Sequence, residues 1–117
     1  MKLQFDSIRG DILVIEADED LDIDEASPLL VQLERQTSRN LKIVVVDCSH
    51  VDFLHTPGIS RLVDLHVRLT KRGGRLVICS LKQRIIDILE VLRLDRLLDV
   101  RDDLDSTLAI LREEPAT

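Results

Sequence analysis

The stretch Val44-Val-Val-Asp-Cys-Ser-His-Val-Asp-Phe-Leu-His-Thr-Pro-Gly-Ile59 decides how this chain folds. It opens on the second half of the β-branched run Lys42 to Asp47, short and bounded by polar residues, which predicts a buried strand. A polar turn follows, and then a helix starts abruptly. Thr56 has the chemistry of an N-cap and Pro57 that of a first helical residue, because a proline lacks an N–H that a first turn leaves unpaired anyway. From there Ile59, Leu62, Val63, His66 and Leu69 recur at helical spacing. Gly73-Gly74 ends that helix through the positive φ that glycine accepts, and Arg75-Leu-Val-Ile-Cys79 reads as the next strand. Strand, helix and strand in this order define a parallel crossover unit.

Working outward, Asp11 to Glu16 is another buried strand, and Leu3 to Ser7 before Gly10 pairs with it as a hairpin. Helical periods run through Leu29, Leu30 and Leu33, through Ile85, Ile86, Leu89 and Leu92, and through Leu104, Leu108 and Leu111. The expectation is an α/β fold: one domain over residues 1–112, with a mixed sheet of about four to five strands and about four helices, then a frayed tail over 113–117.

The 117 residues suffice for one core without metal or disulfide staples. Hydrophobic residues make up 44% and charged residues 32%, too apolar for disorder and too charged for a membrane protein. The net charge of minus 6 has the wrong sign for a general binder of nucleic acid. Phe5 and Phe53 are the only aromatic residues, so base-stacking platforms are excluded and the core is Leu, Ile and Val. No apolar run approaches the roughly 18 residues of a membrane span, and the opening residues do not read as a signal peptide, which leads us to expect a cytoplasmic protein without membrane insertion. Cys48 and Cys79 each close an apolar run and read as inert core thiols.

Signs of catalysis are scarce: the sequence has no P-loop, no GxGxxG after a strand, no HExxH and no GxSxG. Ser60 and His55 alone do not make a hydrolase triad. The acidic run Asp18, Glu19, Asp20, Asp22, Asp24 and Glu25 has Ile23 where a calcium loop needs its bend glycine and Leu29 where it needs a bidentate Glu. It reads better as carboxylates placed at a helix start, where the dipole favours them. The expectation is therefore a binding module, not an enzyme, with no cofactor and no metal.

The hydroxyl of Thr56 has two readings. As a plain N-cap it accepts a backbone N–H and contributes about 1 kcal/mol. As a modification site it would carry a phosphate of about −1.5 to −2 charges held by the helix dipole, without harm to the fold. On the same helix His66 shares the apolar face and reads as a half-buried imidazole, while His50 falls in a solvated turn. Arg61, Leu65 and Arg68 read as the opposite side, either a solvated face or, through an uncovered Leu65, an anchor for a protein contact.

In these segments the chain resembles the STAS domains, and among them the bacterial anti-sigma factor antagonists. The resemblance is carried by Val44 to Asp47, Phe53-Leu-His-Thr-Pro-Gly-Ile59 and Arg72-Gly-Gly-Arg-Leu-Val-Ile-Cys79, in order and at matching separations. Asp20-Leu-Asp22 upstream and Ile85 to Leu98 downstream extend it over almost the whole chain. It implies partner switching: the unmodified domain binds an anti-sigma factor that is also a serine/threonine kinase, a sigma factor is released, and phosphorylation ends the binding. The acceptor position falls on Thr56. Asp22, His55, Thr56, Pro57, Gly58, Arg61 and Leu65 are the expected partner-binding residues, on a monomer or weak dimer. His55 stands where the family has Asp, Pro57 where it has a second hydroxyl, Glu19 where it has the Gly before its Glu-Leu-Asp segment, and Arg93 where it has a Gly. The resemblance also admits a second role, as the accessory subunit of an ABC-type lipid transporter that binds its ATPase subunit.

Overall fold

A computed structural model describes residues 2–17 and 42–114. The strands are β1 (Lys2–Phe5), β2 (Ile12–Glu16), β3 (Ile43–Asp47), β4 (Arg75–Cys79) and β5 (Asp99–Arg101). The helices are α1 (Thr56–Lys71), α2 (Gln83–Val91) and α3 (Leu104–Glu113), with a 3₁₀ turn over Leu94–Arg96. The helix expected through Leu29, Leu30 and Leu33, with Asp22 and its acidic neighbours, lies outside the described residues.

One five-stranded sheet runs in the order β1-β2-β3-β4-β5. β1 is antiparallel to β2, with Phe5 opposite Leu13, while β2, β3, β4 and β5 are mutually parallel. This is the expected mixed α/β sheet. β5, with one apolar residue in Asp-Val-Arg, is the strand that alternation does not single out.

The residues of β3 and β4 alternate between two apolar faces, as strand geometry requires. Leu13, Ile15, Val44, Val46, Leu76 and Ile78 face α1 and α2, whose Leu62, Leu65, Leu69, Ile85 and Leu89 complete that core. On the other face Ile12, Ile43, Val45, Val77 and Cys79 are covered by Leu104, Leu108 and Leu111 of α3. Val44, Val45 and Val46 are fully buried, the pattern of a central parallel strand covered on both sides. A right-handed crossover places both α1 and α2 on one face of the sheet, which leaves the other to α3.

The joints follow from sequence. Gly73 takes φ 77°, and Gly74 donates its N–H to the Leu69 carbonyl at 2.8 Å, closing the C-terminus of α1. The next residue begins β4, with Arg75 N–H donating to the Lys42 carbonyl at 2.8 Å. After α2 the chain turns through Arg93 at φ 59°, a left-handed conformation that glycine would adopt at less cost. Asp103 caps α3 by accepting from Ser106 N–H at 2.7 Å.

The far end of α3 is tied to the β1–β2 hairpin. Arg9 chelates the Asp11 carboxylate and donates to the carbonyls of Leu111 and Glu114 at 2.6 and 3.0 Å. Arg112 reaches the buried Asp6 carboxylate, Nε at 3.0 Å and Nη2 at 2.5 Å. α3 thus continues through Glu113, the first residue of the expected tail, and Glu114 pairs with Arg75. Beside these ion pairs a polar cleft of about 240 Å³ is lined by Arg9, Lys42, Ile43, Gly73, Gly74, Arg75 and Glu114. It lies where β3 and β4 begin, whereas Thr56 follows the carboxyl end of β3.

Candidate functional site

The carboxyl ends of β3 and β4 carry the turn that the sequence singles out. Cys48 N–H donates to the Cys79 carbonyl at 2.9 Å, prolonging the pairing by one rung, and Val51 N–H closes a turn onto the Cys48 carbonyl at 3.0 Å. Val51 is fully buried and fastens the loop to the core. Asp47, only 8% exposed, accepts from Ser49 N–H at 3.2 Å, so its role is to shape this turn. His50 Nε2 lies 3.3 Å from the Glu16 carboxylate at the surface. Both cysteines are free and buried as expected, and burial pushes the Cys48 thiol up to about 12 and the Cys79 thiol up to about 11.

α1 begins one residue earlier than expected. Ile59 N–H donates to the His55 carbonyl at 3.0 Å, so the first helical hydrogen bond closes on His55, which has extended backbone and holds the N-cap without a side-chain cap. Thr56 is therefore the first residue within the helix, not its cap, and Pro57 follows it in the first turn. Thr56 and Pro57 are exposed, whereas Gly58 is buried. The first turn carries no acidic residue, so within the turn itself no carboxylate offsets the positive end of the helix.

One expected contact changes place. Leu65, read as an uncovered anchor on the outer side of α1, is 5% exposed and lies in the core with Leu62 and Leu69. The helix is rotated relative to the reading of its period: Gly58, Leu62, Leu65 and Leu69 form the buried stripe, with Ile59, Val63 and His66 half-buried beside it. Apolar residues at 59, 62, 63, 65, 67 and 69 leave that period ambiguous, and the sheet decides it. Arg61 remains at the surface side, 3.9 Å from Asp64. His66 keeps the expected half-buried place, but its Nδ1 is buried with no hydrogen-bond partner among the described residues.

What the sequence does not announce is the cluster built against His55. The Phe53 ring, 59% exposed, stacks on the His55 ring at 6.4 Å between centroids and 21° between planes. The Arg84 guanidinium, from the start of α2, lies over the Phe53 ring at 5.7 Å from its centroid. Asp52 accepts from Lys82 and lies 3.4 Å from Arg84, and the Lys82 ammonium holds its carboxyl below the usual carboxylate range. An exposed aromatic three residues before Thr56 was the available signal. Arg84 gave none, since only the fold brings it to Phe53 across the turn.

Among the described residues no group of His, Cys, Asp and Glu is arranged to hold a metal ion, and no helix is long and apolar enough to cross a membrane.

The architecture and this turn define a class: a small α/β domain whose mixed sheet presents an exposed hydroxyl residue at the start of the helix after its central strand. The family model of the STAS domain matches residues 6–107, and the chain belongs to that family. Its structure is similar to that of the protein TM1081 solved by NMR, with a TM-score of 0.77 at 15% identity over 96% of this chain and 88% of that one. It is similar as well to the crystal structure of the Thermotoga maritima protein described as a candidate anti-sigma factor antagonist, with a TM-score of 0.74 at 12% identity over 96% and 94% of the two chains. The murine anion transporter Slc26a9 contains a similar fold, with a TM-score of 0.59 at 13% identity over 88% of this chain and 18% of the transporter. No curated protein matches the chain.

Proposed function

We propose that this STAS domain is an anti-sigma factor antagonist acting in the cytoplasm. It binds an anti-sigma factor that is also a serine/threonine kinase, releases the sigma factor, and loses its partner when Thr56 is phosphorylated. It acts by binding, without turnover of its own and without a cofactor. The observation that carries the reading is the exposed Thr56 in a first helical turn devoid of acidic residues. There a kinase can reach the hydroxyl, and the positive end of α1 favours the incoming phosphate, so modification leaves the fold intact. The cost falls on the complex instead: a doubly charged group inside a contact shaped for a neutral hydroxyl opposes binding by several kcal/mol, about a thousandfold in affinity. The solved structure described as a candidate antagonist agrees with this reading through its fold.

The test is titration against each purified GHKL-type anti-sigma kinase of the source genome. Wild type binds one of them, and Thr56→Glu loses that binding while its melting temperature stays level or rises, since a carboxylate at a helix start contributes about 0.3–1 kcal/mol. Thr56→Ala binds, is not phosphorylated, and keeps wild-type stability, because no cap is lost. Equal affinity of wild type and Thr56→Glu would refute the switch. Phosphate found on Ser49 or Ser60 alone would refute the choice of residue.

A further inference from the structure

The polar cleft at the amino ends of β3 and β4 holds charge that the Thr56 turn does not use. Its volume of about 240 Å³ lies below the roughly 300–1,000 Å³ of sites for drug-sized molecules, which suits an ion or a small metabolite. Three cations border it: Arg9 from the β1–β2 hairpin, Lys42 just before β3, and Arg75 at the start of β4. One carboxylate, Glu114 from the end of α3, borders it as well. Gly73 and Gly74 line the cleft without adding a side chain. The amides there are already spent, since Gly73 N–H donates to the Thr70 carbonyl at 3.1 Å, Gly74 N–H to that of Leu69 and Arg75 N–H to that of Lys42. An anion entering the cleft is therefore held by side chains.

We infer that this cleft binds a phosphate group, free or as a small phosphomonoester, and that the Glu114 carboxylate is its built-in competitor. Glu114 shows the chemistry that fits, for its Oε2 accepts from Arg75 Nη2 at the cleft. Charge decides for phosphate over a second carboxylate. Asp11, chelated by Arg9, offsets one of the three cations and Glu114 offsets another, while Lys42 makes no ion pair among the described residues. On the neighbouring elements Asp6 pairs with Arg112 and Asp99 with Arg101. Glu113 adds one negative charge to the last turn of α3, and Lys71 and Arg72 before the glycines add two of the opposite sign. Withdrawal of Glu114 raises the surplus at the cleft from one positive charge to two, the match for a phosphate carrying about −1.5 to −2. Glu114 is free to withdraw because it is the C-cap of α3, with extended backbone, so its side chain leaves without unwinding the helix. Its ion pair with Arg75 is also open to water, with the two side chains 35% and 37% exposed, and a pair so placed contributes little.

Inorganic phosphate and glycerol phosphate are the probes, titrated by calorimetry in a buffer of low ionic strength, with the amide resonances of Gly73 and Gly74 reporting where they bind. Wild type is compared with Glu114→Gln and with the double variant Glu114→Gln, Lys42→Gln, and a melting curve shows that each is folded. We expect Glu114→Gln to bind phosphate at least about tenfold more tightly than wild type, and the added Lys42→Gln to reverse at least about tenfold of that affinity. Binding should weaken with added salt, as a site made of side-chain cations requires. Both resonances should move on binding. Tighter binding of glycerol phosphate would name an ester as the source, and tighter binding of inorganic phosphate the free ion; either result supports the site. The inference is overturned if Glu114→Gln binds no more tightly than wild type, if neither probe saturates it by about 10 mM, or if Lys42→Gln leaves the affinity unchanged. Acetate binding as tightly as phosphate would overturn the choice of ligand.

Discussion

Replacing Gly74 by alanine would test the joint on which the parallel sheet depends. A Cβ at Gly74 would stand 2.7 Å from the Lys42 carbonyl oxygen and 3.4 Å from the Leu69 carbonyl oxygen. Both obstacles are backbone atoms in use: Lys42 O accepts the Arg75 N–H that opens the β3–β4 pairing, and Leu69 O accepts from Gly74 itself at the end of α1. A carbon needs several tenths of an ångström more, and a side chain cannot swing aside to give it. One of the two backbones must shift, which costs about 1–3 kcal/mol as overpacking usually does. For a domain of this size that lowers the melting temperature by roughly 5–15 °C. Neighbouring glycines supply the controls. Gly10 has nothing within 4 Å, so Gly10→Ala should change stability by less than about 0.5 kcal/mol. Gly73 has equal space but φ 77°, so Gly73→Ala should cost about 1–2 kcal/mol through its backbone alone. Calorimetry measures the stabilities, and hydrogen exchange locates the damage. In Gly74→Ala the Arg75 amide should exchange faster than global unfolding requires, whereas in Gly73→Ala it should not. A Gly74→Ala protein melting within about 2 °C of wild type, with Arg75 still protected, would refute the close approach.

The Asp6 carboxylate is held below its ordinary range, first by the hydrogen bond from Arg112 and also by Arg9 N–H, against the opposing effect of burial. A depressed folded value means that its stabilisation is complete above the unfolded carboxylate value of about 3.9 and is lost as pH falls through the folded one. Asp6→Asn should therefore cost about 1–3 kcal/mol near neutral pH, with a deficit that vanishes in acid, and urea titrations giving a constant deficit between pH 2 and 7 would refute the pairing. Arg93 at φ 59° is strained, so Arg93→Gly should raise stability by about 0.5–1 kcal/mol, and an unchanged or lower urea midpoint would show that Arg93 sits there without cost.

The strands were legible because burial on both faces writes itself as an uninterrupted β-branched run: Ile43 to Asp47 and Arg75 to Cys79 stand where the sequence places them. β5 escaped because an edge strand of three residues has too little pattern to separate from a loop. The hydroxyl at the start of α1 was legible from Thr56-Pro57, but the cap was not. The chain is already extended at His55, and the hydrogen bond from Ile59, not the side-chain chemistry of threonine, fixes where the helix begins. The orientation of α1 was misread at Leu65, since its apolar residues support two neighbouring stripes and only contact with Val44, Val46 and Leu76 chooses between them. The Phe53, His55 and Arg84 cluster joins residues from two elements and leaves no periodic trace.

α3 bears on how the domain is made. It is the helix seen to close the face formed by Ile12, Ile43, Val45 and Val77, and it follows all five strands of the described sheet. Its fastenings reach back across the whole domain, for Arg9 and the Leu111 carbonyl it holds are 102 residues apart in sequence. A chain cut short ahead of Leu104 would carry all five strands and leave one apolar side of the sheet open, a surface for which another chain or a chaperone would compete.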